Sequence, residues 1–151
     1  LTFENWIFTL DLFEISSLGY FKSIKSDLNK LYKNNKLKLI KCNHDNINKF
    51  MKQSDLTIVP SEWNEQYGRV IQESAACGSI VIGSKIGAIP EILIDDEFIF
   101  EPKNAFLLKK KIENIYFNFE FLRIKFDKVE QIINEKRSIN NQAKLINEIF
   151  C

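Results

Sequence analysis

Four residues near the middle of the chain have the types and spacing to hold a phosphorylated ligand: Glu65, Gly68, Arg69 and Glu73. They lie in the run Pro60-Ser61-Glu62-Trp63-Asn64-Glu65-Gln66-Tyr67-Gly68, which leads straight into the helical pattern RVIQESAA. The first turn of such a helix presents unpaired N–H groups and the positive end of the helix dipole, a ready site for an anion. Gly68 lets a phosphate approach the backbone closely, and Arg69 adds a bidentate donor matched to phosphate oxygens. Glu65 falls in the loop before this anion site and Glu73 on the helix beyond it. One acid can thus meet a group on the near side of the phosphates and the other a group on the far side. Carboxylates are acceptors only, and paired sugar hydroxyls are well suited to donate to them.

Such a loop functions only if regular elements hold it in place. Leu56–Val59 is a short apolar run stopped by Pro60, the pattern of a buried parallel strand. The helix from Gly68 to Ala76 follows, with Gly78 where a left-handed C-terminal cap belongs, and Ser79–Ile82 reads as the next strand, ended by Gly83. Upstream, residues 24–34 read as a helix and 37–42 as a strand. Asn43 or Asp45 is placed to cap a helix with Ile47, Phe50 and Met51 inward. Downstream, Asn104 is placed to cap a helix with Leu108, Ile112, Ile115 and Tyr116 inward, leaving Lys109 to Lys111 as its solvated face. Phe119, Leu122, Phe126, Val129 and Ile133 form a further stripe, and Ala143, Ile146 and Phe150 a last one. Strands alternating with helices predict an α/β fold: a Rossmann-like, doubly wound parallel sheet flanked by helices, one domain spanning 1–151. Ligands of such sheets bind beyond the carboxyl ends of the strands, which is where the Pro60–Gly68 loop falls.

Composition narrows the function classes. With 151 residues, 45% apolar, 27% charged and a net charge of +1, the chain is an ordinary globular domain with no global attraction to nucleic acid or to anionic lipid. Thirteen Phe and four Tyr occur at helix or strand spacing and do not interleave with Lys and Arg, so they predict core, not base stacking. No stretch approaches the roughly 18 apolar residues of a membrane span. The opening LTFENWIFTLDLFEI is interrupted by Glu4, Asp11 and Glu14, unlike a signal peptide. Cys42, Cys77 and Cys151 are odd in number with no CxxC pair, and read as free thiols of a reducing compartment; Cys77, on a small-residue helix face, reads as packed core. His44, the sole histidine, reads as local structure or nucleobase surroundings in preference to a catalytic base, and Asp95-Asp96-Glu97 as a solvated turn in preference to a metal site.

Residues 54–93, SDLTIVPSEWNEQYGRVIQESAACGSIVIGSKIGAIPEIL, resemble the signature stretch of the family 4 retaining glycosyltransferases of the GT-B fold. Glu65 and Glu73 match that family's E-x7-E motif and Tyr67-Gly68 its aromatic-Gly pair. ESAACGSIVIGS matches its helix–Gly–strand passage, and GAIPE its Gly-small-x-Pro-Glu turn. The resemblance extends over about 36–150, with 98–102 and the Asn104 helix as the family's next strand and helix and Ser138–Phe150 as its terminal helix. It implies the donor-binding, C-terminal half of an enzyme that transfers a sugar from a nucleoside diphosphate sugar with retention at the anomeric carbon, without a metal or other cofactor. Carried over residue by residue, it implies that Glu65 meets hydroxyls of the donor sugar as the catalytic acid side chain. Backbone amides at Tyr67, Gly68, Arg69 and Val70 then meet sugar and diphosphate, Glu73 takes the ribose hydroxyls, and Cys42 and Asn43 flank the nucleobase. It also implies a cytoplasmic location and an acceptor saccharide or glycolipid bound by an N-terminal domain or second chain, through which any contact with the inner membrane face would run.

One departure matters. Family members carry an Arg and, a few residues later, a Lys just after the domain's first strand, where both hold the diphosphate, yet residues 1–21 contain no Lys or Arg. Lys22 and Lys25 come too late for the match, and Gly19-Tyr20 is a poor counterpart of the family's glycine-containing loop. Either the chain begins downstream of the basic pair, as its start at Leu1 is consistent with, or the pair is lost. The isolated chain is therefore expected to transfer nothing by itself. The alternatives are a vestigial or non-catalytic nucleotide-binding module, one subunit of a split transferase, and, more distantly, a sugar epimerase on the same fold. For Arg69 and Glu73, four residues apart, the competing reading is a plain surface helix pair.

Overall fold

The computed structural model describes residues 7–11, 19–40, 43, 45–137 and 140–141. The chain divides into two compact units, Leu1–Ile47 and Asn48–Cys151. In the first, strand β1 (Phe8–Asp11) pairs parallel with β2 (Leu37–Ile40), Phe8 opposite Leu37 and Asp11 opposite Ile40. Helix α1 (Gly19–Lys33) joins them. Lys30 and Lys33 stand in its last turn, where cations complement the negative end of the dipole. Asn35, in the left-handed region at φ 55°, ends it, and the Lys36 N–H donates back to the Leu31 carbonyl at 2.9 Å. The predicted start of this helix at 24 is five residues late. The strand read over 37–42 is described only to Ile40, since residues 41 and 42 lie outside the described residues.

The second unit is built on a three-stranded parallel sheet of order β3-β4-β5, formed by Leu56–Val59, Ile80–Ser84 and Ile99–Phe100. Short helix α2 (Ile47–Met51) precedes β3. Helix α3 (Arg69–Ala76) joins β3 to β4, and α4 (Ile89–Leu93) with a 3-10 turn (Asp96–Phe98) joins β4 to β5. Helices α5 (Ala105–Phe117) and α6 (Phe119–Arg137) follow. Among the described residues all strand pairs are parallel, as the alternation of strands and helices predicts, and they form two hydrogen-bonded sheets, one in each unit.

The central strand β4 is buried at all five positions, whereas every residue of β3, an outer strand of its sheet, is half-buried. The expectation that β3 is fully buried is thus corrected. Against β4 pack helices α3 and α4, with Ile71 and Ala75 of α3 and Ile89 and Leu93 of α4 buried; α6 packs in turn on α3, α4 and α5, its stripe Leu122, Phe126, Val129 and Ile133 also buried. Phe98 meets Phe126 edge to face, ring centroids 5.0 Å apart. Phe119 and, on α5, Leu108, Ile112 and Tyr116 are only half-buried, leaving Ile115 as the buried anchor of α5. Asn104 caps α5 as predicted, accepting from the Leu107 N–H at 3.0 Å. Gly78 closes α3 at φ 89°, its N–H donating to the Ala75 carbonyl at 2.8 Å.

Gly83 does not end β4: the strand runs to Ser84. A Cβ at Gly83 would stand 2.6 Å from Ile89 Cγ2 and 3.2 Å from Leu93 Cδ1, so the glycine serves the close approach of α4 to the sheet and makes no turn. Lys111 is likewise not on a solvated face, since its ammonium donates to the Asp96 carbonyl at 2.8 Å. Cys77 is half-buried at the end of α3 and is a free thiol. His44, Cys151 and the stripe Ala143, Ile146 and Phe150 lie outside the described residues. No helix among the described residues is long and apolar enough to cross a membrane.

Candidate functional site

At the carboxyl ends of the second unit's strands, parallel pairing brings Val59 opposite Gly83, and Ser84 opposite Phe100. The loop Pro60–Gly68 leaves from this edge. Its start is tied down by Ser84, a fully buried hydroxyl that donates to the Ser61 carbonyl at 2.6 Å and reaches the Val59 carbonyl at 3.5 Å. Its middle is held through Glu65, whose carbonyl accepts from the Ala88 N–H at 2.7 Å. Its end is Gly68, buried, at φ 62°. A Cβ there would run into Ile92 Cδ1, and the left-handed backbone strains any side chain, so both space and conformation demand glycine. A recess of about 190 Å³ lies beside the loop, lined by Pro60, Glu62, Phe100, Lys103 and Asn104 among others.

Gly68 caps α3 without a side-chain hydrogen bond, and no acid stands in the first helical turn. The positive helix end is instead met by Glu65, whose Oε1 accepts from the Gly68 N–H at 3.3 Å. One turn on, an Arg69 guanidinium nitrogen lies 3.3 Å from Glu73 Oε1, with the two side chains 74% and 40% exposed. An exposed pair of this kind contributes only about 0.3–0.5 kcal/mol and opens at little cost. Gln72 donates to the Tyr67 carbonyl at 3.1 Å, fixing the peptide that enters the helix. Tyr67 and Val70 are about half exposed and Trp63 more so, which leaves an apolar rim around the polar groups.

Of the residues singled out by sequence, Glu65, Tyr67, Gly68, Arg69, Val70 and Glu73 thus stand together on one loop and helix start. Asn43 belongs to the first unit, where it is exposed and bonded to Asn46. Its N–H donates to Asn46 Oδ1 at 2.8 Å, and its own Oδ1 accepts from the Asn46 N–H at 3.1 Å. It therefore closes a turn ahead of α2, and the Ile47 N–H bonds its carbonyl, not its side chain. Cys42 lies outside the described residues. Arg69 and Glu73 do form the plain helix pair that was the competing reading, and both remain exposed enough to exchange partners.

The Asp95-Asp96-Glu97 turn is not merely solvated. Asp95 Oδ1 accepts from the Glu97 N–H at 2.9 Å and from Lys125 Nζ at 3.1 Å, and Asn114 donates to Glu97 at 2.7 Å. Burial pushes the Asp95 carboxyl up. The Glu97 N–H, the Lys125 ammonium and the Lys111 charge outweigh it, so that Asp95 ionises below the ordinary carboxylate range. Among the described residues no group of three His, Cys, Asp or Glu side chains is arranged to hold a metal ion.

Sequence reasoning left Gly83-Ser84 open between pocket lining and a tight turn, and it missed Gly87 and Ala88 as parts of this site. Gly87 and Ala88 lie about 20 residues beyond the loop and offer it only backbone atoms, whereas Ser84 reaches it through its hydroxyl. The available signal was the GAIPE turn, which was read as a motif without a contact partner.

The chain is similar over 49 residues (32% of its length, 41% identical) to an N-acetyl-alpha-D-glucosaminyl L-malate synthase of Bacillus anthracis, covering 13% of that protein. It is 35% identical over 78 residues, half of its length, to an uncharacterized glycosyltransferase of Methanocaldococcus jannaschii, covering 22% of that protein. Among solved structures, the Anabaena protein HepE in complex with UDP matches 87% of this chain with a TM-score of 0.75 at 22% identity, over 36% of its own length. A glycosyltransferase from Rickettsia africae matches 95% of this chain, also with a TM-score of 0.75 and 22% identity, over 39% of its own length. These structural likenesses establish the fold: α/β, parallel sheets flanked by helices, as in one half of a GT-B glycosyltransferase. The chain spans between 12% and 22% of the lengths of the curated relatives it matches. Residues 18–144 match the family model described as glycosyl transferases group 1, and the chain belongs to that family.

Proposed function

We propose that this chain supplies the donor site of a sugar transferase, holding a nucleoside diphosphate sugar for transfer with retention of anomeric configuration. The observation that carries the reading is a helix start whose N-cap, Gly68, offers no side chain, flanked by two carboxylates, Glu65 before it and Glu73 one turn beyond, each bonded to a near neighbour. In this reading Glu65 accepts hydroxyls of the donor sugar, backbone N–H groups from Tyr67 to Val70 and the Arg69 guanidinium meet sugar and diphosphate, and Glu73 accepts the ribose hydroxyls. The HepE structures with UDP and with UDP-glucose support a nucleotide sugar as ligand class.

The chemistry asked of these residues is electrostatic. Negative charge grows on the leaving diphosphate as the glycosidic bond stretches, and a helix start with a guanidinium beside it is already oriented toward it. The reaction runs without a resident metal or other cofactor, so chelator leaves turnover of the complete enzyme unchanged. The acceptor, a saccharide or glycolipid, binds to another domain or chain. The 151-residue chain alone therefore transfers no sugar, because both substrates need positioning in a closed, water-poor cleft. The whole enzyme is proposed to act in the cytoplasm, in polysaccharide or glycoconjugate synthesis.

A thermal-shift screen of the chain against UDP, GDP and ADP and their glucose conjugates tests the reading. One family of ligands is expected to raise the melting temperature, since about 100-fold saturation stabilises the native state by about 2.7 kcal/mol. No shift with any of the six, confirmed by calorimetry, leaves the vestigial module. Glu65→Gln then separates sugar from nucleotide. It should cut affinity for the nucleotide sugar while sparing the bare diphosphate, and in a complete enzyme lower kcat more than it raises KM.

A further inference from the structure

The end of β4 and the turn after it touch the candidate site without containing any residue proposed to meet the donor, and Ser84, Gly87 and Ala88 each meet the Pro60–Gly68 loop. Ser84 donates to the Ser61 carbonyl at 2.6 Å. Ala88 donates through its N–H to the Glu65 carbonyl at 2.7 Å. Gly87 lies so close that a Cβ would collide with the Glu65 carbonyl oxygen and stand 2.6 Å from the Glu65 nitrogen and 2.9 Å from Asn64 Oδ1. Gly87 also has a left-handed backbone, φ 55°. The Glu65 peptide is therefore pressed on one side by Gly87 and Ala88, while its carboxylate reaches the Gly68 N–H at 3.3 Å.

We infer that the Gly87–Ala88 turn is a positioning clamp for Glu65: by fixing the Glu65 peptide it sets where the carboxylate stands against the start of α3, and so governs recognition of the sugar portion of a nucleotide sugar but not of its diphosphate. The sugar part of this inference rests on the donor-site reading above; the clamp itself does not. The magnitudes decide for the clamp. Relieving a collision between a new Cβ and the Glu65 carbonyl oxygen requires about 1 Å of movement, because non-bonded heavy atoms settle near 3.5 Å. The Glu65–Gly68 hydrogen bond is already at the long end of its range, and a shift of that size breaks it. Ser84 holds the beginning of the same loop, so the movement is taken up around Glu65 rather than at the strand end. A second left-handed glycine supplies the control. Gly78 has φ 89° but open space around its missing Cβ, with nothing within 4 Å. Alanine at 78 thus pays the backbone strain alone, and alanine at 87 adds the collision.

The test compares Gly87→Ala with Gly78→Ala in the 151-residue chain by amide hydrogen exchange. At matched global stability, the Gly68 amide is expected to exchange about tenfold or more faster in Gly87→Ala than in Gly78→Ala, as a locally opened hydrogen bond does. Equal protection of Gly68 in the two variants overturns the clamp. Should Gly87→Ala not fold, Ala88→Pro decides: φ −76° at Ala88 suits proline, the N–H that holds the Glu65 carbonyl is removed, and Gly68 exchange is expected to speed, while an unchanged Gly68 amide overturns the proposal. The ligand arm measures UDP and UDP-glucose by calorimetry, or the guanosine or adenosine pair where the screen selects it. Gly87→Ala is expected to lose about tenfold in affinity for the sugar nucleotide and to keep the diphosphate within about twofold. Equal loss for both ligands overturns the sugar-positioning role. A wild type that binds none of these ligands refutes the donor reading by that reading's own test, and the exchange comparison still decides the clamp.

Discussion

Two acidic turns of the second unit use their carboxylates in opposite ways. Asp95 and Glu97, adjacent but one in sequence, are engaged from far along the chain by Lys111, Asn114 and Lys125. The carboxylates of Glu65 and Glu73, eight residues apart, bond partners no more than four residues away, a backbone N–H and an exposed guanidinium. The first arrangement closes a structure: partly buried acids fastened to cations of α5 and α6 cannot leave without stranding those cations. The second leaves acceptors whose present bonds are weak and local, and can be exchanged for those of a ligand at small cost. Proximity of acids in sequence thus does not by itself leave acceptors open to exchange, whereas these two acids spaced around an anion-attracting helix start are left open.

Breaking the second arrangement should give the largest effect on binding. Glu73→Gln is expected to weaken nucleoside diphosphate binding by about 1–3 kcal/mol through loss of a charge-assisted acceptor for hydroxyls. Its cost in stability should be only a few tenths of a kcal/mol, because the Arg69 pair is exposed. Calorimetry with a nucleoside diphosphate and with pyrophosphate separates the readings. An equal loss for both, or no loss, returns Glu73 to the simple helix pair.

Breaking the first arrangement should do the reverse. Lys125→Met removes the ammonium 3.1 Å from both Asp95 oxygens and 3.9 Å from Glu97, leaving part-buried carboxylates with fewer donors. A stability loss of about 1–2 kcal/mol in denaturant unfolding is expected. Ligand affinity should be unchanged. A variant as stable as wild type would show that the Asp95 turn is held by its backbone and by Lys111 and Asn114, without Lys125.

Legibility from sequence followed the range of the contacts. The strand at Leu56–Val59, the helix to Ala76 and the Asn104 cap rest on periodicity and on caps within a few residues, and all were readable. The site loop was readable because its glycine, aromatic and two acids lie on one contiguous stretch. Gly83 was misread as a strand end because its reason, the approach of Ile89 and Leu93, belongs to packing. Lys111 and the Asp95 turn were misread as solvated for the same reason: their partners lie 15 to 30 residues away. The Gly87–Ala88 contact left no side-chain signature, since a carbonyl and an N–H are present at nearly every position.

Arg69→Gln sharpens the contrast at a smaller scale. The guanidinium is mostly exposed and pairs with the exposed Glu73, so stability should change by no more than about 0.5 kcal/mol. Diphosphate affinity should fall and become less dependent on salt, because a screened cation is removed from the helix start. Equal salt slopes in wild type and variant would take Arg69 out of the phosphate site.

The smallest expected effect is a pH dependence confined to the structural turn. Burial alone would raise the Asp95 carboxyl, but the Glu97 N–H and the Lys125 and Lys111 charges hold it below its ordinary value. A carboxyl depressed in the folded state binds its proton more weakly there than in the unfolded chain. Its contribution to stability is therefore fully present above the unfolded value, near 3.9, and drains away as pH falls through the lower folded value. Wild type should consequently lose stability more steeply than Asp95→Asn on going from about pH 5 to about pH 3. The asparagine keeps a side-chain oxygen to accept from the Glu97 N–H but carries no titrating charge, and every other carboxylate is common to both proteins. The difference between their denaturation curves then reports Asp95 alone. In Lys125→Met the same difference should shrink, because the nearest cation holding the carboxyl down is gone. Parallel acid curves for wild type and Asp95→Asn would mean that the Lys125 contact fastens the turn without favouring the ionised acid. The two acidic turns would then differ in their partners but not in the free energy those partners contribute.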